Sequence, residues 1–467
     1  MPDDILYTET HRPQFHFTPK YNWTNDPNGL VYYEGEYHLF FQHNPTGITW
    51  GNMTWGHAIS TDLVHWTQLK HALHPDELGT IFSGSAVVDW HNSAGFQIGD
   101  EKALVVFYTS AGKEPVPFTQ SIAYSNDRGR TWTKHENNPV IGHIRAQNRD
   151  PKVFWHAPSE QWIMALYLDA NDYTIYGSKD LKAWEQLCDL TLPGVTECPD
   201  LFELSVDGDR ANTRWVYWGA NGGYLLGQFN GRNFTAETDV LNAEHGRHGY
   251  AAQTWSDTPD GRLLQISWMR GGKYPAMPFN QQMSFPVELS LRTTPAGIRL
   301  CREPIAEIGL LHHETYQWDN YTLAPGTDLV PATKSQLFDI RLEIEPNDAT
   351  SFGVKIRGID LRYEGGKISF QGTEAPLAPI DGRLVLQLLV DRTSLEIFGH
   401  RGELSMSICY LPEAADNPLV FYAEDGVAHI VSLAVHPLRS AWGQGPFCYT
   451  PRPPIEISTC TAIYYIR

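Results

Sequence analysis

Ser60-Thr-Asp-Leu-Val-His-Trp66 returns as Ser125-Asn-Asp-Arg-Gly-Arg-Thr-Trp132 and as Ser178-Lys-Asp-Leu-Lys-Ala-Trp184. Each copy reads as a Ser-x-Asp turn, because short polar side chains bond to nearby backbone, and it leads to a Trp placed to cap the edge of a sheet. Around the copies lie paired runs of β-branched and aromatic residues: 30–41, broken at Glu34-Gly35 as a hairpin, 86–90 with 103–108, and 153–155 with 162–168. Residues 201–204 with 215–218, and 254–255 with 263–269, continue the series without an obvious Trp copy. Five units of roughly fifty to sixty residues predict a radial propeller of four-stranded blades; a solenoid or a sandwich does not account for so long a repeat.

The strand that opens each unit carries a polar motif: Asn25-Asp26, Phe82-Ser83, Arg149-Asp150, Glu197-Cys198 and Tyr250-Ala251. Opening strands line the central channel of a propeller, so the five motifs should meet in one funnel. Beyond about residue 300 the motifs stop while alternating strands continue, as in Leu337-Phe-Asp-Ile-Arg-Leu-Glu-Ile344 and Ser394-Leu-Glu-Ile-Phe398, at the turn spacing of a sandwich. The expected organisation is an all-β chain: a five-bladed β-propeller over 1–300, a linker over 301–317, a β-sandwich over 318–442, and a tail over 443–467.

With 54 acidic against 35 basic side chains the formal charge is −19, which repels nucleic-acid backbones and anionic membranes and points to a neutral or small substrate. The six cysteines, at 188, 198, 301, 409, 448 and 460, form no CxxC pair and no zinc spacing. No metal or cofactor is expected. The N-terminal Met-Pro-Asp-Asp-Ile-Leu has no basic stretch followed by an apolar one, so the chain as it stands is expected in the cytoplasm, or outside the cell if a leader has been removed. Oligomeric state is left open.

Cleavage of a glycosidic bond with retention requires two carboxyl groups roughly 5–5.5 Å apart, one ionised to attack and one protonated to release the leaving oxygen. Asp26, between the amides of Asn25 and Asn28 and ahead of a Pro-Asn-Gly turn, suits attack; taken alone, Asp-Pro-Asn-Gly also reads as a structural turn. Glu197, beside Cys198-Pro199 and before Leu201-Phe202, is expected in apolar surroundings that keep it protonated, with Asp200 adding like charge. Asp150 is expected to stay ionised and to hold sugar hydroxyls, although strict alternation places Arg149 on the opposite side unless a turn brings both inward. Phe82-Ser-Gly-Ser85 offers a hydroxyl and a close backbone approach. Trp23, Trp50, Trp55 and Gln42 fall near the first motif as sugar-binding or core residues, and His57 reads as structural.

The ordered set Trp23-Thr-Asn-Asp-Pro-Asn-Gly29, Phe41-Gln-His-Asn-Pro45, Trp55-Gly-His57, Phe82-Ser-Gly-Ser85, Arg149-Asp-Pro-Lys152 and Glu197-Cys-Pro-Asp200, with Asp391-Arg-Thr-Ser-Leu-Glu-Ile-Phe-Gly399 in the second domain, resembles glycoside hydrolase family 32. The resemblance implies a five-bladed propeller followed by a sandwich and a retaining mechanism on β-fructosides. It implies Asp26 as nucleophile, Asp150 as transition-state stabiliser and Glu197 as acid/base. Asn25, Gln42, Trp50, Phe82, Ser83 and Arg149 match positions around the terminal fructose, and Trp268 joins them as a substrate-binding candidate.

Two stretches depart from that pattern. Trp268-Met-Arg-Gly-Gly-Lys-Tyr274 lacks the Asn-Trp pair found in many relatives, and Glu244-His-Gly-Arg-His-Gly249 replaces an acidic run. Arg270 and Lys273 read either as a charged turn or as cations meeting an anionic substrate. The sequence thus leads to a hydrolase releasing terminal fructose from sucrose-type oligosaccharides or fructans. Sucrose-6-phosphate hydrolysis and fructosyl transfer are alternatives on the same site, and a non-catalytic fructan-binding propeller is an alternative of another class.

Overall fold

The computed structural model describes residues 6–413 and 417–443; of the expected tail, all but Gly443 lies outside them, as do Cys448 and Cys460. Among the described residues, regular structure is strand apart from the 3-10 turns Ala157–Ser159 and Ala306–Leu311, and no helix is long and apolar enough to cross a membrane. The chain is a five-bladed β-propeller followed by a β-sandwich. The first blade orders Asn22–Tyr33, Glu36–Asn44, Thr54–Ser60 and Thr67–Gln68 outward from the channel, and Phe279–Asn280 adds a parallel strand at the inner edge. Blade two runs from Thr80–Val88 to Thr133–Lys134, and blade three from Arg149–His156 to Glu185–Thr191. The last two blades open with Asp200–Val206 and Gly249–Thr254 and share one sheet through a parallel bridge, Val206 to Leu291.

Blades pack face to face, so both faces of a blade are buried and its middle strands read as unbroken apolar runs. In Leu104–Ala111, Leu104 and Val106 pack toward the first blade with Phe40 and Trp55, while Val105 and Phe107 pack toward the third with Trp162 and Met164. Burial of each such side chain contributes about 1.5–3 kcal/mol. The sandwich alternates instead: in Phe338–Glu345, Phe338, Ile340, Leu342 and Ile344 enter the core between a six-stranded and a five-stranded sheet, and the polar residues between them lie on the opposite face, where Asp339 is covered by His312, Arg341 and Gln387.

The repeated motif joins the third strand of a blade to its fourth. In all three copies the Ser hydroxyl donates to the Asp carboxylate, which in turn accepts backbone N–H groups, and the Trp indole donates to a backbone carbonyl three residues back, at 3.0–3.1 Å. A fourth copy is Asn230-Gly-Arg-Asn-Phe234: Asn230 takes the place of Asp, its Oδ1 accepting from the N–H of Arg232 and Asn233, and Phe234 takes the place of Trp.

Residues 301–317, the expected linker, hold the end of strand Gly297–Pro304, the turn Ala306–Leu311 and the start of strand Tyr316–Leu323. One apolar core joins the two parts, with Leu389, Phe398 and Leu438 packed against propeller residues. The Asp391–Gly399 stretch clamps the propeller's N-terminal segment: His16 lies between Asp391 at 2.8 Å and Glu396 at 2.6 Å, and all three are buried.

Candidate active site

Four of the five opening strands are irregular where their polar motif sits. Pairing slips between Thr24 and Pro27, Ile81 and Gly84, Ala165 and Tyr167 (opposite Arg149), and Tyr250 and Gln253. At three of the motifs a residue takes a left-handed backbone: Asp150 (φ 64), Cys198 (φ 51) and Ala251 (φ 52). Such conformations cost roughly 1–3 kcal/mol each in a non-glycine residue, and bulges of this kind re-aim side chains. Here they turn Arg149 and Asp150 toward the same cavity. Asp-Pro-Asn-Gly is likewise a bulge inside Asn22–Tyr33 rather than a turn at its mouth. Gly29 there has φ 54 and lies where a Cβ would meet Phe40 at 2.5 Å, so glycine is required at that position by local geometry.

The motifs meet around a cavity of about 690 Å³ at the end of the channel, lined by Asp26, Asp150 and Glu197 together with Asn25, Gln42, Trp50, Phe82, Ser83, Arg149 and Trp268. Trp23, edge-on to Trp268, is not part of its lining, while the three acids and every residue matched to a fructose-binding position lie on this surface. Trp55 does not: it is fully buried and donates its indole N–H to the Phe82 carbonyl. His57 is also buried, 3.0 Å from His38, and burial pushes its imidazole well below its usual range.

Asp26 reaches the cavity wall with protein around it. Its Oδ2 accepts from Ser83 Oγ at 2.6 Å and its Oδ1 from Asn25 Nδ2 at 3.2 Å. Asn28 plays no such part, since its Oδ1 accepts from the N–H of Gly84; Ser83 supplies the second donor. Burial raises the Asp26 carboxyl above its ordinary value, the Ser83 bond opposes this, and the nearby Glu197 adds to it. Asp150 accepts from the Cys198 N–H at 3.2 Å, and the Cys198 thiol lies 3.3 Å from Asp150 and 3.8 Å from Asp26. Burial pushes Asp150 up to about 7; Arg149 opposes the rise, while Glu197 and Asp26 add to it. Burial is the main cause of that rise, and the neighbouring acids on the same wall add to it.

Glu197 departs most from the sequence-based expectation. Its surroundings are not apolar: Arg149 donates to Oε2 through both Nε, at 3.0 Å, and a terminal nitrogen, and the Tyr250 hydroxyl donates to Oε1 at 2.8 Å. Asp200 adds no like charge to it, because its carboxylate is buried against Lys152 Nζ at 3.2 Å and the N–H and hydroxyl of Thr254. Tyr250 was legible only as the fifth opening motif, and its hydrogen bond to Glu197 depends on two blades meeting. Gln42 Nε2 faces the cavity region with no protein partner among the described residues, a donor suited to a hydroxyl. Trp50, 58% exposed, stands edge-on to Phe82 at the rim. Arg270 also lines the cavity, whereas Lys273 is exposed and away from it.

A clustered nucleophile-type carboxylate, a hydrogen-bonded second carboxylate and a rim of aromatic and amide groups suit acid/base work on a neutral polyhydroxylated ligand. Known proteins agree. Residues 16–304 match the model of the glycosyl hydrolases family 32 N-terminal domain and residues 359–437 that of the family 32 C terminal. A levanase of Bacillus subtilis is 42% identical over 95% of this chain and 73% of its own length. An extracellular exo-inulinase of Aspergillus niger is 33% identical over 93% of this chain and 96% of its own. The crystal structure of exo-inulinase from Aspergillus awamori superposes with a TM-score of 0.84 at 30% identity, covering 93% of this chain and all of that one. Sequence and fold coincide from the first blade through the sandwich, and the chain belongs to glycosyl hydrolase family 32.

Proposed function

We propose that this chain is an exo-acting β-fructosidase that releases terminal fructose from sucrose-type oligosaccharides and from fructans such as levan and inulin. The observation that carries the reading is the convergence of Asp26, Asp150 and Glu197 on one cavity, with Arg149 and Tyr250 holding Glu197. In this reading Asp26 attacks the anomeric carbon, steadied by Ser83 and Asn25, to give a covalent fructosyl-enzyme. Glu197, poised by Arg149 and Tyr250, gives its proton to the leaving oxygen and then takes one from water. Asp150 accepts hydrogen bonds from ring hydroxyls, and those bonds strengthen as positive charge develops. Asn25, Gln42, Ser83 and Phe82 enclose the terminal sugar, with Trp50 and Trp268 as aromatic walls.

The levanase and exo-inulinase relatives favour hydrolysis of fructosides over a phosphorylated substrate or a binding-only role. Lys273, one of the two cations considered for a phosphate, lies away from the cavity. The compartment follows the substrate: polymeric fructan is met outside the cell, as for the Aspergillus relative named extracellular, so the polymer reading goes with export and not with the cytoplasmic expectation. Incubation with sucrose, inulin and levan, followed by chromatography of products, tests the proposal. Fructose as the first and dominant product, appearing as the β-anomer in early carbon spectra, is expected. Longer oligosaccharides as first products, or an α-anomer, overturn the exo or the retaining assignment respectively.

A further inference from the structure

We infer that Arg270 is a specificity-determining residue of the leaving-group side, gripping the hydroxyls of the sugar that departs. This rests on the proposed role of Glu197 as the acid. Tyr250 donates to Glu197 Oε1 at 2.8 Å, and the Arg270 guanidinium lies over the Tyr250 ring, 4.6 Å from its centroid, and 6.0 Å from that of Trp268. A group stacked on the partner of the acid lies beside the oxygen that leaves. Burial points the same way. Asn25, Ser83 and Asp150 are nearly inaccessible, while Arg270 and Trp50 are exposed at the mouth. A terminal fructose fills the depth, and the next sugar must lie against the mouth.

The guanidinium is both free and fixed. Among the described residues it has no carboxylate within ion-pair distance and its side chain makes no hydrogen bond, so its N–H groups are left for a ligand. Its backbone is pinned: the N–H of Arg270 donates to the His248 carbonyl at 2.7 Å, that of Gly271 to Gln281 Oε1 at 2.8 Å, and Gln281 Nε2 to the Gly272 carbonyl at 3.0 Å. Gln281 also accepts from the Trp268 indole, tying the loop to an aromatic wall. At Gly272 a Cβ would stand 2.7 Å from the Tyr274 hydroxyl and 3.0 Å from the Cys409 sulfur, so no bulky side chain shares this wall with Arg270. A planar cation stacked on two rings presents its donors at low entropic cost, and hydroxyls are ligands it can hold without a counter-charge.

The test compares sucrose with methyl β-D-fructofuranoside, whose leaving group needs the same proton but carries no hydroxyls. Arg270→Ala should lower kcat/KM for sucrose by about 10- to 100-fold, the scale of one or two hydrogen bonds to a charged group, and for the methyl fructoside by less than about threefold. The variant should melt within about 2 °C of the parent, because an exposed side chain with no ion pair is replaced. Equal losses on both substrates, accompanied by a displaced pH-rate profile, would show Arg270 acting through Tyr250 and Glu197 and overturn the inference. No loss on either substrate would also overturn it. A parent enzyme that cleaves neither substrate removes the fructosidase reading and this inference with it, a result distinct from the other two.

Discussion

Two groups of buried carboxylates in this molecule are treated in opposite ways. At the propeller–sandwich junction every acid is answered. Asp391 accepts the backbone N–H of Gln14 and Phe15 as well as His16, and Glu396 accepts the N–H of Phe285 and the other ring nitrogen of His16. These bonds overcome the burial that would lower the imidazole, so His16 is raised to about 9, and the same bonds draw Asp391 below its ordinary value despite its burial. In the funnel, Asp150 and Glu197 share the guanidinium of Arg149, Asp26 has only the neutral donors Ser83, Asn25 and the Cys198 thiol, and Asp26 and Asp150 are raised. Satisfied charge holds two parts of the fold in register. Crowded charge stores the protonation differences on which acid/base chemistry runs.

The contrast is broken most severely by Asp26→Asn. Removing the attacking charge should lower kcat by about 10⁴-fold or more, the scale for loss of a catalytic nucleophile, while thermal melting shows no loss of stability because like-charge crowding is relieved. Near-normal turnover by the folded variant would take the nucleophile away from Asp26.

His16→Ala strikes the junction instead. Removing one partner of a buried charge cluster should cost about 3–5 kcal/mol in urea unfolding, with kcat of the folded fraction little changed. The sign of the pH dependence follows from the raised imidazole. Its contribution is fully present below the unfolded value near 6.5 and is lost as pH rises through about 9. The gap between parent and variant should therefore close on the alkaline side. A gap that stays constant from pH 7 to 10 would mean that His16 is held by shape and not by charge.

Asp150→Asn gives a smaller change in stability than His16→Ala and the sharpest test of crowding. A carboxyl raised from about 3.8 to about 7 stabilises the fold only while protonated, so that contribution is present below about 3.8 and lost as pH climbs through 7. The amide should raise stability by about 1–2 kcal/mol at pH 8, the scale of relieving a strained functional site, and the gain should vanish near pH 4. Loss of stability at pH 8 would show that Arg149 already compensates Asp150 in full.

Much of this arrangement is legible in the sequence because it is local. Ser-x-Asp with a following Trp closes a turn by its own side chains, so three of its occurrences mark blades directly, and Glu34-Gly35 forms its hairpin with both residues at positive φ. The fourth copy escapes notice because Asn230 and Phe234 perform the same bonding and packing with different residues. The funnel residues are legible as a set, since one polar motif per opening strand can converge only on a channel.

What the sequence determined by itself is therefore the repeat, the all-β architecture, the three acids and the residues beside them. Tertiary structure alone decided what each acid meets. Arg149 reaches Glu197 because a bulge at Asp150 reverses the alternation of its strand, Tyr250 reaches Glu197 from the next blade, and Asp200 is taken out of the site by Lys152. Arg270 likewise became part of the cavity only when its loop folded onto Tyr250. Hydrogen bonds and charge interactions depend on distances of a few ångströms between residues some fifty or more positions apart, and those distances are set by how the blades close around the channel, for which no short stretch of sequence carries a signal.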